Sequence, residues 1–210
     1  MLLFYIQIGQ SGDDMEYLVI GAIIVLIIFI IYAASKSDSF TIEPPHRAAG
    51  RRGEHIAARY ISSVLREDDA YYTNVSIAFD GKPTELDNVI VNKFGVFIIE
   101  VKNYSGRLSG SEDDYEWTKV HFSDAGNPYY KTVKNPIKQV KREVYILAKY
   151  LDYYGVSVWV DGYAMIIGAS SPVDSEYVLS SVGDIDHAIH TPGKKRLNSD
   201  TIESIKRLLS

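Results

Sequence analysis

Three ionisable side chains, Asp87, Glu100 and Lys102, lie within two stretches that otherwise have the composition of buried β-strands. Charged side chains are rarely buried unless they are paired with an opposite charge or bind a metal. Carboxylates are ligands that Mg²⁺ prefers, and a neighbouring lysine can orient a water molecule or stabilise phosphoryl charge. The residue types therefore indicate either a structural ion-pair cluster or a metal-dependent hydrolytic site.

The spacing of these residues indicates that they meet at one end of a β-hairpin. Alternate residues of a strand share a face, so Glu100 and Lys102 lie on one side of the predicted strand 95–103. Asp87 lies in the predicted strand 84–91, and a short turn would pair the two strands. A cross-strand ion pair without catalytic function needs the same spacing, so the spacing leaves both interpretations open.

The remaining elements predict an α/β (α+β) fold in which helices flank a mixed sheet. Apolar residues at helical spacing alternate along the chain with short runs at strand spacing. The predicted helices are 49–66, 135–155 and 199–210, and the further strands are 71–79, 116–121, 157–170 and 176–182.

The first part of the chain has the composition of a membrane anchor. Residues 17–34 form a run of 18 residues without a charge, which as a helix covers roughly 27 Å, close to the thickness of the bilayer hydrocarbon. A secretory signal peptide would need a basic region before the run, and here that region is acidic. Lysine and arginine follow the run but do not precede it, which predicts a cytoplasmic C-terminal domain.

We therefore predict a single-pass protein of the cell membrane that contacts the lipid bilayer through one N-terminal transmembrane helix. The predicted segments are an extracytoplasmic N-terminus at 1–16, the transmembrane helix at 17–34, a linker at 35–48 and the main domain at 49–210.

Because the overall charge is negative, binding of nucleic acid would require a local basic surface. The formal net charge is −5, whereas binding to phosphates depends on many lysine and arginine contacts. A local basic cluster on the second predicted helix and its approach could supply these contacts, and a solvated helix face is the alternative. The cluster consists of Lys134, Lys138, Lys141 and Arg142. The chain has no cysteine, which excludes disulfides, zinc–thiolate sites and a cysteine nucleophile.

Four pieces of the sequence resemble the nuclease-related (NERD) domain of the PD-(D/E)xK nuclease superfamily, over residues 50 to 150. They are GRRGEHIAARYI from Gly50, ELDNVIVNKFGVFIIEVKNYSG from Glu85, the tryptophan Trp117, and NPIKQV from Asn135. The second piece is the most specific, because an acid, a turn and a strand ending in Glu-Val-Lys follow one another. Asn88 departs from the pattern, since many relatives carry a histidine after the acid.

The resemblance implies a restriction-endonuclease-like fold and a set of site residues. The implied catalytic residues are Glu54, Asp87, Glu100, Lys102 and Gln139, and the implied metal ligands are Asp87, Glu100 and the carbonyl of Val101. Glu54 matches an acidic position on the first helix, and Gln139 matches a glutamine that supports the site. The implied cofactor is Mg²⁺ or Mn²⁺, and the implied partner is nucleic acid, with DNA favoured over RNA.

The sequence thus predicts a membrane-anchored, Mg²⁺-dependent nuclease that hydrolyses phosphodiester bonds in DNA or RNA. The alternative is a non-catalytic, membrane-tethered module that has a nuclease-like fold and binds nucleic acid or protein. Substitution of Asp87 separates these two hypotheses, because loss of divalent-metal binding would support the enzyme.

Overall fold

Two compact units divide the chain, Met1–Glu43 and Pro44–Ser210. The computed structural model describes residues 20, 22–30, 32, 45–123, 125–171, 173–192 and 196–210. In the first unit, residues 22–30 are helical and exposed. The predicted N-terminus 1–16, most of the linker 35–48 and seven of the 18 residues of the predicted transmembrane segment 17–34 lie outside the described residues. Within the described ranges, no helix is both long enough and apolar enough to span a membrane.

The second unit consists of a mixed sheet and the helices that flank it, as the sequence predicts. In chain order the helices are α1 (Pro45–Val64), α2 (Pro136–Tyr153), α3 (Val182–His190) and α4 (Ser199–Leu209). The strands are β1 (Ala70–Phe79), β2 (Lys82–Asn92), β3 (Gly95–Ser109), β4 (Glu116–Phe122), β5 (Pro128–Lys134), β6 (Val160–Ser171) and β7 (Val178–Leu179). All seven of these described strands belong to one sheet.

The long strand β3 organises this sheet because three other strands pair with it. The parallel strand β6 follows one edge of β3 from Val96 to Arg107. The opposite edge is shared, since the antiparallel strand β2 pairs with β3 from Gly95 to Ile98 and β4 pairs with it only from Arg107 onward. Residues 99–106 of β3 therefore have no strand partner on this edge among the described residues. We refer to this interval as the β3 gap.

Helices cover both faces of the sheet. On one face, Val89, Ile98 and Val160 pack in the same core cluster as Leu147 of α2 and Ile205 of α4. On the other face, residues of the opposite parity on β2 and β3 pack against α1 and α3. That second cluster contains Ala57, Ile61, Ile90, Phe97, Ile99, Val101, Ile185 and Ile189. The alternation along β3 thus assigns Glu100 and Lys102 to the α2 side of the sheet.

Several element boundaries differ from the predicted ones. Helix α1 begins at Pro45 rather than at residue 49, inside the predicted linker, because proline is well accommodated in the first turn of a helix. Strand β3 continues to Ser109 because a shift in register between Asn103 and Arg107 lets it follow β6 and then pair with β4.

Two observed elements were not predicted. Strand β5 is almost entirely exposed, so it lacks the alternation of apolar and polar residues that identifies a half-buried strand. Helix α3 replaces the end of the predicted strand 176–182, because Ser181 and Asp184 form a capping box that starts a helix there.

Candidate active site

The backbone pairing between β2 and β3 ends at Ile98. Beyond this point, side chains of β2 form hydrogen bonds with the backbone of β3 instead. The amide nitrogen of Asn88 donates to the carbonyl oxygen of Ile99 at 3.0 Å. Asp87 Oδ2 accepts the backbone N–H of Val101 at 2.9 Å. Because the N–H and C=O of one strand residue point toward the same neighbouring strand, the carbonyl of Val101 also faces the side of Asp87. The β3 gap therefore begins with a carboxylate held by the backbone.

Glu100 is the central residue of this arrangement and is only 2% exposed. Its Oε1 accepts hydrogen bonds from the ammonium of Lys102 and from Gln139 Nε2, the latter at 2.7 Å. Its Oε2 is buried and has no hydrogen-bond partner among the described residues. The side chain of Lys102 is 26% exposed, and Asp87 is also partly exposed. Solvent therefore has access to Asp87 and Lys102 but hardly to Glu100.

A second buried carboxylate, Glu143, joins the site and was missed in the sequence analysis. Gln139 Nε2 donates to Glu143 Oε1 at 3.0 Å, so one amide group binds both glutamates. Glu143 is 3% exposed, and its Oε2 also lacks a hydrogen-bond partner in the described part of the chain. The sequence does contain an indication of it, because Glu143 lies four residues after Gln139 on the helix face that Val140 and Leu147 make apolar.

Helix α2 is fixed at its start by Asn135, which positions Gln139 and Glu143. The side-chain oxygen of Asn135 caps the helix by accepting the N–H of Ile137 at 2.9 Å. Its amide nitrogen donates to three carbonyl oxygens of the loop before β4, those of Ser111 at 3.2 Å, Glu112 at 3.0 Å and Asp114 at 2.8 Å. One buried side chain thus joins the loop to the helix that supports the site.

Burial dominates the electrostatics of the two glutamates. Desolvation, together with the charge of Asp87, raises the pKa of Glu100 to about 7, although the ammonium of Lys102 opposes this rise. Desolvation and the charge of Glu100 raise the pKa of Glu143 to about 8. Burial by itself would lower the pKa of Lys102, but the charge and hydrogen bond of Glu100 together with the charge of Asp87 oppose it, and the pKa lies above the usual value. Lys102 is therefore a cation at neutral pH.

The structure does not connect Glu54 to the other predicted site residues. Glu54 is exposed on α1, which packs on the opposite face of the sheet from Glu100. The preceding residue, Gly53, lies so close to β3 that an added Cβ would be 2.7 Å from the Cβ of Asn103. Among the contacts described, Glu54 has no hydrogen bond to Asp87, Glu100 or the other site residues. The helical spacing of α1 explains this, because the apolar residues of the helix face the sheet and Glu54 lies on the side that faces solvent.

The predicted basic cluster lies on the exposed side of α2 and at the end of β5. Lys134, Lys138, Lys141 and Arg142 are all exposed. Lys141 has other partners, because its Nζ lies 3.9 Å from Glu112 Oε2 and 4.2 Å from the centre of the Tyr177 ring. No described contact joins this cluster to Glu100, so any role for it would be in holding a long ligand.

The oxygen atoms at the β3 gap suit a hard divalent cation with few protein ligands. Among the described residues, no group of three or more histidine, aspartate and glutamate side chains is arranged to hold a metal ion. Mg²⁺ requires fewer than three such side chains, since it commonly takes one or two carboxylates and keeps several waters. Asp87, Glu100 and the carbonyl of Val101 form such a set, and the unpartnered Glu100 Oε2 is the acceptor that a cation would satisfy.

The fold and the site together define a mixed α/β protein in which acids and a lysine lie together at a gap in the sheet. The family model described as "nuclease-related domain" matches residues 49–167, which is more than half of the chain. The chain therefore belongs to the nuclease-related domain (NERD) family, whose general context is the PD-(D/E)xK superfamily.

Comparison with individual proteins extends over part of this domain. An uncharacterized protein of Bacillus anthracis is 33% identical over 92 residues, which is 41% of this chain and 42% of that protein. The chain thus matches less than half the length of this relative. No solved structure matches the chain. Family membership suggests a nuclease-like function and nucleic-acid binding.

Proposed function

We propose that this protein is a nuclease that hydrolyses phosphodiester bonds with Mg²⁺ or Mn²⁺. The observation that carries the proposal is the buried Glu100, whose Oε2 accepts no hydrogen bond among the described residues and whose carboxylate lies close to Asp87 and Lys102. Leaving a buried acceptor unsatisfied costs about 1–3 kcal/mol. At Glu100 this cost coincides with a second acid and a lysine close by, which supports a role in binding a cation.

Each residue of the gap has a distinct task in this proposal. Asp87, Glu100 and the carbonyl of Val101 hold the cation, which when bound neutralises negative charge on the phosphoryl oxygens. The N–H of Val101 orients Asp87, and Gln139 occupies Oε1 of Glu100 so that Oε2 stays available. The ammonium of Lys102 orients the attacking water or stabilises the phosphoryl charge. We assign no step to Glu54.

The test is cleavage of labelled DNA and RNA by the purified chain with Mg²⁺, with Mn²⁺ and with a chelator. Wild-type protein should cut only with a divalent cation, and we expect DNA rather than RNA to be the substrate. Asp87→Asn retains an acceptor for the N–H of Val101, and Lys102→Met retains the aliphatic stem. Each should lower the cleavage rate on the order of 100-fold or more while the fold is preserved.

Lys149→Ala is the matched control, because Lys149 is exposed at the far end of α2. It should cut like the wild type. Wild-type protein that binds nucleic acid but cuts neither DNA nor RNA with any divalent cation would contradict the proposal. That outcome would favour the non-catalytic binding module instead.

We further propose that residues 17–34 anchor the protein in the cell membrane, with the catalytic domain in the cytoplasm. The uncharged run of 18 residues supports this. The large apolar side chains of the helical segment 22–30 are also exposed, including Val25 at 67% and Phe29 at 64%. Exposed apolar side chains on one short helix are favourable in lipid and costly in water.

A further inference from the structure

The hairpin of β4 and β5 carries several exposed aromatic side chains at the edge of the sheet. β5 pairs with β4 alone among the described strands. Tyr129 is 50% exposed and Tyr130 is 68% exposed, on adjacent positions of β5. Adjacent residues of a strand point to opposite faces, so the two tyrosines lie on different sides of the hairpin. This difference makes the two faces separately testable.

One face of the hairpin lies on the same side of the sheet as the candidate active site. Trp117 begins this face and is buried in a cluster with Ile137 of α2. Continuing along β4, Lys119 and His121 share the face of Trp117, and their partners on β5 are Lys131 and Tyr129. The rings of His121 and Tyr129 are stacked, with centroids 5.1 Å apart and planes at 13°. We call Lys119, His121, Tyr129 and Lys131 the hairpin platform.

The hairpin platform adjoins the β3 gap through Tyr104. Lys119 Nζ lies 5.6 Å from the centre of the Tyr104 ring. Tyr104 follows Lys102 by two positions on β3 and is close enough that Lys102 and Glu100 both affect its pKa. Positive charge therefore extends from Lys102 through Lys119 to Lys131.

The two lysines of the platform form a cross-strand pair of like charge, which is unfavourable in a sheet. An anion that lies between them would offset this repulsion. Phosphate groups of nucleic acid are anions of suitable chemistry, and the adjacent stacked rings offer an aromatic surface to a base. Charge complementarity and aromatic exposure on one face therefore favour a nucleic-acid strand as the occupant.

We propose that the hairpin platform binds a single-stranded segment of nucleic acid and leads it to the β3 gap. Lys119 and Lys131 contact phosphates, and a base stacks on Tyr129. The segment is single-stranded because neighbouring bases cover both faces of each base within a duplex, whereas an unpaired strand presents free faces to a protein ring. The inference rests on the proposed nuclease function and specifies its substrate class.

The experiment measures fluorescence anisotropy of labelled nucleic acids with the 210-residue chain in a chelator, so that binding is measured without cleavage. The probes are a thymidine oligonucleotide of about 20 nucleotides, an abasic strand of the same length and a duplex of the same length. Tyr129→Ala should weaken binding of the thymidine strand roughly tenfold and leave binding of the abasic strand unchanged. Combined Lys119→Ala and Lys131→Ala should weaken binding of both strands.

Tyr130→Ala is the matched control, since Tyr130 is an exposed tyrosine on the same strand but on the other face. It should bind the thymidine strand like the wild type. Equal binding of thymidine and abasic strands by the wild type would overturn the proposal, as would wild-type affinity of Tyr129→Ala for the thymidine strand. Tighter binding of the duplex than of the single strand would overturn it too.

The outcomes of this experiment are separable from those of the nuclease test. If the wild type binds single strands through Tyr129 but cuts nothing with divalent cations, the nuclease proposal is wrong and the proposed binding by the hairpin platform is supported. If the wild type cuts nucleic acid and Tyr129→Ala binds and cuts equally well, the proposed binding by the hairpin platform is wrong and the nuclease proposal is supported. Because Tyr129 is half-exposed, its truncation should leave the circular dichroism spectrum unchanged.

Discussion

The substitution Glu143→Gln should make the protein more stable at alkaline pH. Burial, followed by the charge of Glu100, raises the pKa of Glu143 from 4.5 to about 8. The folded state thus holds this proton more tightly than the unfolded state does. The resulting stabilisation is fully present below pH 4.5 and is lost as the pH rises through about 8. Glutamine has a similar shape but cannot ionise, so the variant does not lose this contribution.

The magnitude follows from the size of the pKa shift. A rise in pKa from 4.5 to about 8 corresponds to roughly 5 kcal/mol once the titration is complete. Relaxation of the fold and entry of water around the ionised carboxylate of Glu143 reduce this figure. We therefore expect a gain of about 2–3 kcal/mol in the free energy of unfolding near pH 8.5, and a difference within about 1 kcal/mol near pH 5.

Urea unfolding of both proteins between pH 5 and pH 9, with a chelator present, measures this difference. Glu203→Gln is the control, because Glu203 is exposed on α4 and pairs with Lys206 at the surface. Its difference from the wild type should stay constant between about pH 6 and pH 9, since its side chain is 60% exposed to solvent. The difference in free energy of unfolding between Glu143→Gln and the wild type should instead grow with pH. If it is constant over this range, Glu143 is not a buried acid with a raised pKa and the reasoning is refuted.

Two further predictions concern the support of the site and the membrane segment. Gln139→Leu removes the amide that binds Glu100 and Glu143, so it should lower the cleavage rate about tenfold or more, whereas the exposed Lys149→Ala should not. Equal cleavage rates for both variants would contradict this role. In a flotation assay with phospholipid vesicles, the 210-residue chain should float with the vesicles, and a chain without residues 17–34 should remain in the aqueous fraction. Flotation of both chains would contradict the proposed anchor.

The pairing of Asp87 with Glu100 could be anticipated because it depends on local geometry. Strand alternation and a short turn suffice to place Val89 opposite Ile98, and the next same-face positions in that register are Asp87 and Glu100. The start of α2 was equally predictable, since Asn135 followed by proline is a common helix start. Glu54 had the right sequence context, but its helix turns it toward solvent.

Sequence alone determined the mixed α/β class, the family of the domain and the alternation that puts Glu100 and Lys102 on one face of β3. These follow from periodicities of two and 3.6 residues and from a local motif. Only the tertiary structure decided that Glu143 reaches the site and that β2 and β4 leave a gap between them on β3. Both depend on contacts between residues far apart in the chain. Which helix face and which strand edge meet is decided when apolar surface is buried across the whole domain.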